Sequence, residues 1–267
     1  MPAMWNLLTS HVDLPYAMGR PLPSLLKDTS VVCIQCEDAK APLSGTSAEL
    51  MRQMMLKLQG APGSNPSELE CDIFSLAKDE ETNKAHLGVI QFAKTELALF
   101  NANDYEAAAK RALKVGDEYS KLVPGYPMIM VELFHRAVPL FAAARLTKKR
   151  QYKVEARRVL KRMNKWVKAG NANVQYYFLF LTAENLALEK KYDAADEKYI
   201  EALAKVTAKG HLHHLGLINE RYADFLIEAR SSEERGKEHL NKAMQYYKEW
   251  GAEAKVKMLE FRLSSLK

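Results

Sequence analysis

The feature that most constrains this chain is a small residue, an aromatic residue and a second small residue placed in that order on one helix face. In the stretch from Lys190 to Leu203, Ala195, Tyr199 and Ala202 are spaced by four and then three residues, so all three lie on one face of an α-helix. Small residues at such positions let a neighbouring helix approach closely, and the aromatic ring fills the space one turn along. The pattern predicts packed helices and indicates no chemistry.

Weaker copies of this pattern occur elsewhere in the chain. The first positions of the four copies, Ala108, Ala156, Ala195 and Gly236, are 48, 39 and 41 residues apart. This exceeds the about 34 residues of an ideal tetratricopeptide repeat but lies in the range of stacked helix pairs. Long amphipathic helices that place alanines at matching offsets are the alternative. The predicted repeat anchors are Ala108, Ala112, Ala156, Leu160, Ala195, Tyr199, Ala202, Gly236, Leu240 and Ala243.

The composition is that of a folded protein of one domain. The chain has 267 residues, 48% of them hydrophobic, which is enough to bury a continuous core. It has no run of about 18 apolar residues and no secretory signal pattern at its start, so we expect no transmembrane segment. Its three cysteines are typical of a reducing compartment. We expect a cytoplasmic or otherwise reducing, soluble location.

Helix signals predict an all-α fold, an elongated α-solenoid of tetratricopeptide-like hairpins over residues 1–267. Residues 1–78 are predicted as irregular N-terminal helices, with Ser47 capping one of them. Residues 79–250 are predicted as regular helix pairs, and Pro139 should kink or split one helix. The pairs include 79–100 with 104–122, 174–189 with 192–207, and 211–229 with 233–250. Residues 251–267 are predicted as a helix that covers the exposed end of the stack.

Two short segments are predicted to interrupt the helices. The sequence GAPGSNPSE, residues 60–68, is the strongest break in the chain and is predicted as a surface loop. Residues 101–104 are predicted as a turn with a helix cap. Neither segment marks a domain boundary, because the helical pattern resumes soon after each.

Positive charge is concentrated in one predicted helix. The formal net charge is +6, yet the segment from Arg145 to Lys168 alone has eleven basic residues and one acidic residue, Glu155. Tyr152 and Met163 belong to an apolar stripe that fixes the inward direction of this helix. The outward side is the basic face, which comprises Arg150, Arg157, Arg158, Lys161, Arg162, Lys165 and Lys168.

The basic face has two interpretations. It is either a solvated surface whose long side chains cover the edges of the core, or a binding surface for an anionic partner. A purely solubilising face normally mixes both signs of charge, so we expect an acidic protein surface to bind there. Anionic lipid headgroups are the second choice, which leaves peripheral membrane contact open. Nucleic acid is unlikely, because no recognisable nucleic-acid module is present.

The cysteines give no complete metal site. Cys33 and Cys36 form a CxxC pair, but zinc would need a second pair of ligands at suitable spacing. Cys71 and His86 are too isolated to supply it. We expect a buried or half-buried pair of thiols without metal.

The sequence HLHH places His211, His213 and His214 at a predicted helix start. Metal binding there would need a carboxylate such as Glu220 to fold back onto the histidines. A structural role is favoured, in which His213 packs between helices and hydrogen-bonds a backbone carbonyl. Asn219 and Glu220 should then satisfy helix ends or a loop. With no catalytic motif present, we expect no enzyme activity, no catalytic residue, no metal and no cofactor.

The C-terminal third resembles a known helical region. Two segments are similar to the end of the tetratricopeptide-like region of large signalling proteins. They are GHLHHLGLINERYADFLIEA and AMQYYKEWGAEAKVKMLE. Those proteins join a STAND-type predicted ATPase to kinase, cyclase or histidine-kinase modules. The residues that carry the resemblance are His213, Asn219, Glu220, Trp250, Gly251, Ala252, Ala254, Lys255 and Val256.

The resemblance implies a scaffold arm without catalysis. The chain contains no phosphate-binding loop and no kinase, cyclase or histidine-kinase module, so none of those activities carries over. The leading hypothesis is a non-enzymatic scaffold or accessory subunit that docks a partner protein. The alternatives are a binder of lipid or nucleic acid through residues 145–168, and a regulatory arm of a larger ATPase or cyclase protein.

Overall fold

The structure is a computed structural model that describes residues 7–60, 80–100 and 105–266. Side chains are described for these residues except Leu43 and residues 80–86. All regular structure within these ranges is helical, which confirms the predicted all-α class. The predicted loop after residue 60, the turn at residues 101–104 and Cys71 lie outside the described residues.

A π-helical turn at Thr9–Asp13 leads into the first α-helix, and a 3-10 turn at Ala172–Val174 precedes α9. The α-helices in chain order are α1 (Leu14–Ala17), α2 (Leu22–Asp38), α3 (Pro42–Gln59), α4 (Glu80–Phe100), α5 (Tyr105–Val115), α6 (Glu118–Leu122), α7 (Met128–Thr147), α8 (Arg150–Lys168), α9 (Gln175–Leu188), α10 (Tyr192–Thr207), α11 (Leu212–Arg230), α12 (Glu233–Trp250) and α13 (Glu253–Ser265).

Local sequence explains the two ends of α3 and the end of α12. Gly60 and Gly251 follow α3 and α12 with φ of 74° and 91°, a left-handed conformation that glycine adopts without steric cost. The predicted start of α3 was wrong. The helix begins five residues before Ser47, at Pro42, because the fixed φ of proline suits a first helical position. Ser47 is a buried residue inside the helix and not its cap.

Two long helices with continuous runs of buried residues occupy the centre of the fold. All residues of α7 from Val131 to Ala144 are buried, and so are all residues of α11 from His213 to Leu226. Pro139 lies inside α7, which continues through it as one helix. The polar side chains of these two helices must therefore find partners inside the protein.

Helices that follow one another in the chain pack as pairs. Helix α9 packs against α10, and α11 packs against α12, as predicted. Of the predicted repeat anchors, Leu160 is half-buried. The others, Ala108, Ala112, Ala156, Ala195, Tyr199, Ala202, Gly236, Leu240 and Ala243, are buried. At Gly236, a Cβ atom would collide with Ile227 of α11, so the small residue permits the close approach of these two helices.

The last helix packs against an early one. Helix α13 contacts α12 and also α3, and the backbone of Gly60 lies against Ala254. An open stack of hairpins would keep its first and last helices apart. The predicted capping helix therefore covers the N-terminal helices instead of a free end, and these contacts do not describe an elongated outline.

Within the described residues, every helix is too short or too polar to cross a lipid bilayer.

Candidate functional site

The basic helix α8 is anchored by its apolar stripe, as predicted. Tyr152, Ala156, Val159 and Met163 are buried, and they fix the rotation of the helix about its axis. The guanidinium of Arg162 lies over the ring of half-buried Trp166, 5.1 Å from its centroid. The basic face consequently points away from the core.

Three arginines of the basic face are neutralised by acids from other parts of the chain. Arg157 forms an ion pair of 2.6 Å with Glu189, just after α9. Arg158 lies 2.9 Å from Asp117 and 3.0 Å from Glu155, and Arg162 lies 3.9 Å from the same Asp117. The spacing along α8 alone could not show these pairs, because two of the acids follow other helices.

The remaining members of the basic face have no acidic partner among the described residues. They are Arg150, Lys161, Lys165 and Lys168, and all four are exposed. Lys161 and Lys165 border a cleft of about 260 Å³ whose other walls include Asp117 and Leu133. The face thus offers uncompensated positive charge beside a concave surface.

A second candidate site is a cluster of buried histidines between the two central helices. His135 comes from α7, and His213 and His214 come from α11; all three are 0% exposed. One possible ligand atom from each ring lies within 4.8 Å of the others. We call these three residues the histidine cluster.

Hydrogen bonds connect the histidine cluster to a buried carboxylate. Nδ1 of His135 bonds to Glu96 of α4, and the hydroxyl of Tyr16 donates to the other oxygen of Glu96 at 2.6 Å. Nε2 of His135 faces Nε2 of His214 at 2.6 Å. Because a carboxylate only accepts hydrogen bonds, Nδ1 of His135 carries a proton and donates to Glu96, and Nε2 of His135 accepts from Nε2 of His214.

The chain of hydrogen bonds continues toward the surface through α9. His214 uses its Nδ1 to accept from the Tyr176 hydroxyl at 2.7 Å. The oxygen of Tyr176 lies 2.8 Å from Nδ1 of His211, which is half-buried. The orientation of every ring in this chain is therefore fixed, from His211 to Glu96.

His213 differs from its two neighbours. Neither of its ring nitrogens has a hydrogen-bond partner among the described residues, so the predicted bond to a backbone carbonyl is wrong. Its ring stacks on His214 with centroids 3.7 Å apart and lies 5.2 Å from the ring of Trp250. Burial lowers the pKa of His213 and His214 well below the ordinary value, so these imidazoles are neutral at neutral pH.

The two polar residues that follow HLHH lie away from the histidine cluster. Glu220 pairs with Lys255 of α13 at 2.8 Å and accepts a hydrogen bond from Tyr247. Asn219 donates to the carbonyl of Leu215 and bonds to His239. Both residues are satisfied inside the fold, but they link helices and do not cap helix ends or a loop.

The cysteine pair has the expected surroundings. Cys36 is buried and Cys33 is half-buried. Burial is the main cause that raises the pKa of the Cys33 thiol to about 11, so this thiol stays protonated at neutral pH. Protonated thiols are poor metal ligands and poor nucleophiles.

Sequence reasoning missed Glu96, His135 and Tyr176 as neighbours of HLHH. They come from α4, α7 and α9, at 118, 79 and 38 residues from His214, and no spacing rule connects them. The one available signal was a charged or polar residue at an inward position of an apolar helix. His135, in the run MIMVELFHRAVPLFAAARL, satisfies that description.

Comparison with protein-family models finds no match for this chain. Comparisons with curated proteins and with solved structures find no match either.

Proposed function

We propose that this protein is a non-enzymatic helical scaffold that docks an acidic partner protein through the basic face of α8. The observation that carries the proposal is the contrast within that face. Arg157, Arg158 and Arg162 have acidic partners, whereas exposed Lys161, Lys165 and Lys168 have none among the described residues. Uncompensated charge on one face attracts and orients a partner of opposite charge.

The cleft beside these lysines favours a protein partner. Its volume of about 260 Å³ suits an inserted carboxylate side chain better than a flat lipid surface. A carboxylate there would reach Lys161 and Lys165 and compete with Asp117 for Arg158, whose planar guanidinium suits carboxylates. Trp166, half-buried under Arg162, offers no exposed ring for stacking on a nucleic-acid base.

The helical hairpins support the proposal of a tetratricopeptide-like scaffold. The pairs α9–α10 and α11–α12 bury their small anchors at the helix crossings, as tetratricopeptide-like repeats do. Together with the resemblance of the C-terminal third to signalling proteins, this favours a docking or regulatory arm over an enzyme. The predicted compartment, cytoplasmic or otherwise reducing, is part of the same proposal.

The test is a charge reversal of the three lysines. The variant Lys161→Glu/Lys165→Glu/Lys168→Glu leaves the ion pairs of the arginines in place, so it should fold. We expect wild-type protein to bind a fluorescent glutamate-rich peptide at low salt and to release it as salt rises. The variant should bind the peptide at least about tenfold more weakly.

The matched control carries the same change of charge elsewhere. Lys205, Lys242 and Lys248 are exposed and form no ion pair among the described residues, so their reversal to glutamate should leave peptide binding unchanged. An equal loss of peptide binding in both variants would mean that binding depends only on net charge, and would contradict docking at α8. Binding to phosphatidylserine vesicles or duplex DNA, but not to the peptide, would replace the protein partner with a lipid or nucleic-acid ligand.

A further inference from the structure

We propose that His135, His213 and His214 bind a divalent transition-metal ion, with zinc as the best match, through one ring nitrogen each. The three rings come from two helices that do not adjoin in sequence, and their possible ligand atoms lie within 4.8 Å of one another. Such convergence of imidazoles is the donor set of three-histidine zinc sites. This inference is independent of the basic face.

The groups around the histidine cluster are those that usually support metal-bound histidines. Glu96 holds Nδ1 of His135, which leaves Nε2 of that ring for the metal. Tyr176 lies 2.7 Å from Nδ1 of His214. With metal bound, the proton of His214 would sit on Nδ1 and be donated to the Tyr176 oxygen, which leaves Nε2 of the second ring for the metal. A carboxylate or hydroxyl on the far nitrogen fixes ring orientation and tautomer in metal sites.

His213 gives the second, independent observation. It is 0% exposed, and neither nitrogen has a hydrogen-bond partner among the described residues. Buried polar atoms are nearly always satisfied, and exceptions call for an explanation. A metal ion bound to one nitrogen explains why a histidine occupies this aromatic site beside Trp250 and Phe100.

The charge of Glu96 points to the same conclusion. Its side chain is 0% exposed, and among the described residues its contact with a basic side chain is the one to His135. Buried charges in proteins are normally paired or located beside metal ions. A divalent cation bound to His135 would place further positive charge next to this carboxyl group.

Zinc binding requires all three rings to move. The ligand atoms lie up to 4.8 Å apart and the ring of His213 stacks on that of His214, so His213 must turn toward the other two nitrogens. Nε2 of His135 and Nε2 of His214 are 2.6 Å apart, which is a hydrogen-bond distance. Nitrogens bound to one tetrahedral zinc at about 2.0–2.1 Å are about 3.3 Å apart. The metal would therefore replace the direct bond between the two rings and move them apart by about 0.7 Å.

The donor set also selects against other ions. Calcium and magnesium prefer oxygen ligands, and the one carboxylate here is turned toward His135 and Tyr16. Imidazole ligands suit zinc, copper and nickel. Bound to zinc, the three rings would take three positions of a tetrahedron and leave the fourth to a small molecule such as water.

Because the histidine cluster is fully buried, the metal should enter during folding. The experiment therefore unfolds the protein in denaturant with a chelator, removes the chelator, and refolds the chain with or without zinc. We expect about one zinc per chain after gel filtration, and a higher melting temperature, because a ligand that binds only the folded state stabilises it. Refolding with cobalt should give the visible absorption of a tetrahedral site.

Two variants locate the metal. His213→Phe removes a nitrogen ligand without breaking any hydrogen bond of the described structure, so the protein should fold without metal as well as wild type does. It should lose the bound zinc and the zinc-dependent rise in melting temperature. His135→Gln is the second variant and should also lose the metal.

The controls change other residues that bind zinc in proteins. His11→Gln alters an exposed histidine, and Cys33→Ser/Cys36→Ser removes the CxxC pair; both should keep about one zinc per chain. The proposal is overturned if refolded wild-type protein retains no stoichiometric zinc, copper, nickel or cobalt. It is equally overturned if His213→Phe and His135→Gln retain as much metal as wild type.

Discussion

Arg221 of α11 donates two hydrogen bonds of 3.0 Å, from Nε and Nη2, to the two carboxylate oxygens of Glu184 on α9. The two side chains are 2% and 0% exposed. The third donor of the guanidinium, Nη1, bonds to Asp224 at 2.6 Å. This buried ion-pair network links α9 and α11 at the centre of the protein, where an unpaired charge has a large desolvation cost.

The variant Arg221→Met should therefore be strongly destabilised. It leaves Glu184 and Asp224 buried with less positive charge around them, which should cost about 3–5 kcal/mol of unfolding free energy. The control is Arg230→Met, which breaks a 2.8 Å pair with Asp193, a residue 89% exposed. That loss should be below about 1 kcal/mol. Urea unfolding of the two variants measures the difference, and similar losses would contradict a buried ion pair.

Overpacking at a repeat anchor should also be costly. Ala202 is 0% exposed at a helix crossing, so Ala202→Leu should lower the unfolding free energy by roughly 1–3 kcal/mol. Ala204, two residues along the same helix, is exposed, and Ala204→Leu adds the same side chain facing solvent. Thermal melts compare the two variants. If Ala202→Leu melts like Ala204→Leu, the buried face of α10 is assigned incorrectly.

Asp13 should make stability depend on pH. Burial raises its pKa to about 7, while the Tyr126 hydroxyl bonds to it and Tyr119 lies near. Since the folded pKa is above the unfolded one, the contribution of Asp13 is fully present below about pH 4 and is lost as pH rises through about 7. Asp13→Asn should therefore gain stability relative to wild type, by roughly 2–3 kcal/mol between about pH 5 and pH 8.

Denaturant unfolding at both pH values tests this expectation. The control Glu197→Gln changes an exposed acid without an ion pair among the described residues, and its effect should be the same at both pH values. If the difference in unfolding free energy between Asp13→Asn and wild type is the same at pH 5 and pH 8, Asp13 is ionised in the folded protein throughout this range.

The contact between α13 and α3 predicts a compact particle in solution. A compact domain of 267 residues has a radius of gyration of about 18 Å by the usual scaling. Small-angle scattering measures this quantity directly. A clearly larger radius with an extended distance distribution would favour an open solenoid and contradict the contact between α13 and α3.

Sequence periodicity was sufficient to predict the bounds of a helix where the burial of one apolar face stabilises it. The predicted bounds of Tyr192–Thr207 and Glu233–Trp250 agree with the structure. These helices have a clear apolar stripe and end near glycine or a turn. In contrast, the long helix expected from residue 104 to Leu122 is interrupted at Gly116 and Asp117, which separate α5 from α6.

Contacts between distant helices could not be predicted in this way. The sequence showed eleven basic residues around α8, but not that Asp117 and Glu189 neutralise part of them. It showed HLHH, but not His135 or Glu96 beside it. Each of these neighbours depends on how whole helices cross, and a single residue type at an inward position does not specify its partner.

The contact between α13 and α3 has a consequence during synthesis. About 190 residues separate Gln59 from Glu253, so at roughly 5–20 residues per second a ribosome needs about 10–40 s to add them. Until then, α3, whose buried residues include Met54 and Met55, lacks one of the helices that pack against it. The newly made N-terminal part thus presents apolar surface to chaperones for longer than a chain built only from neighbouring contacts would.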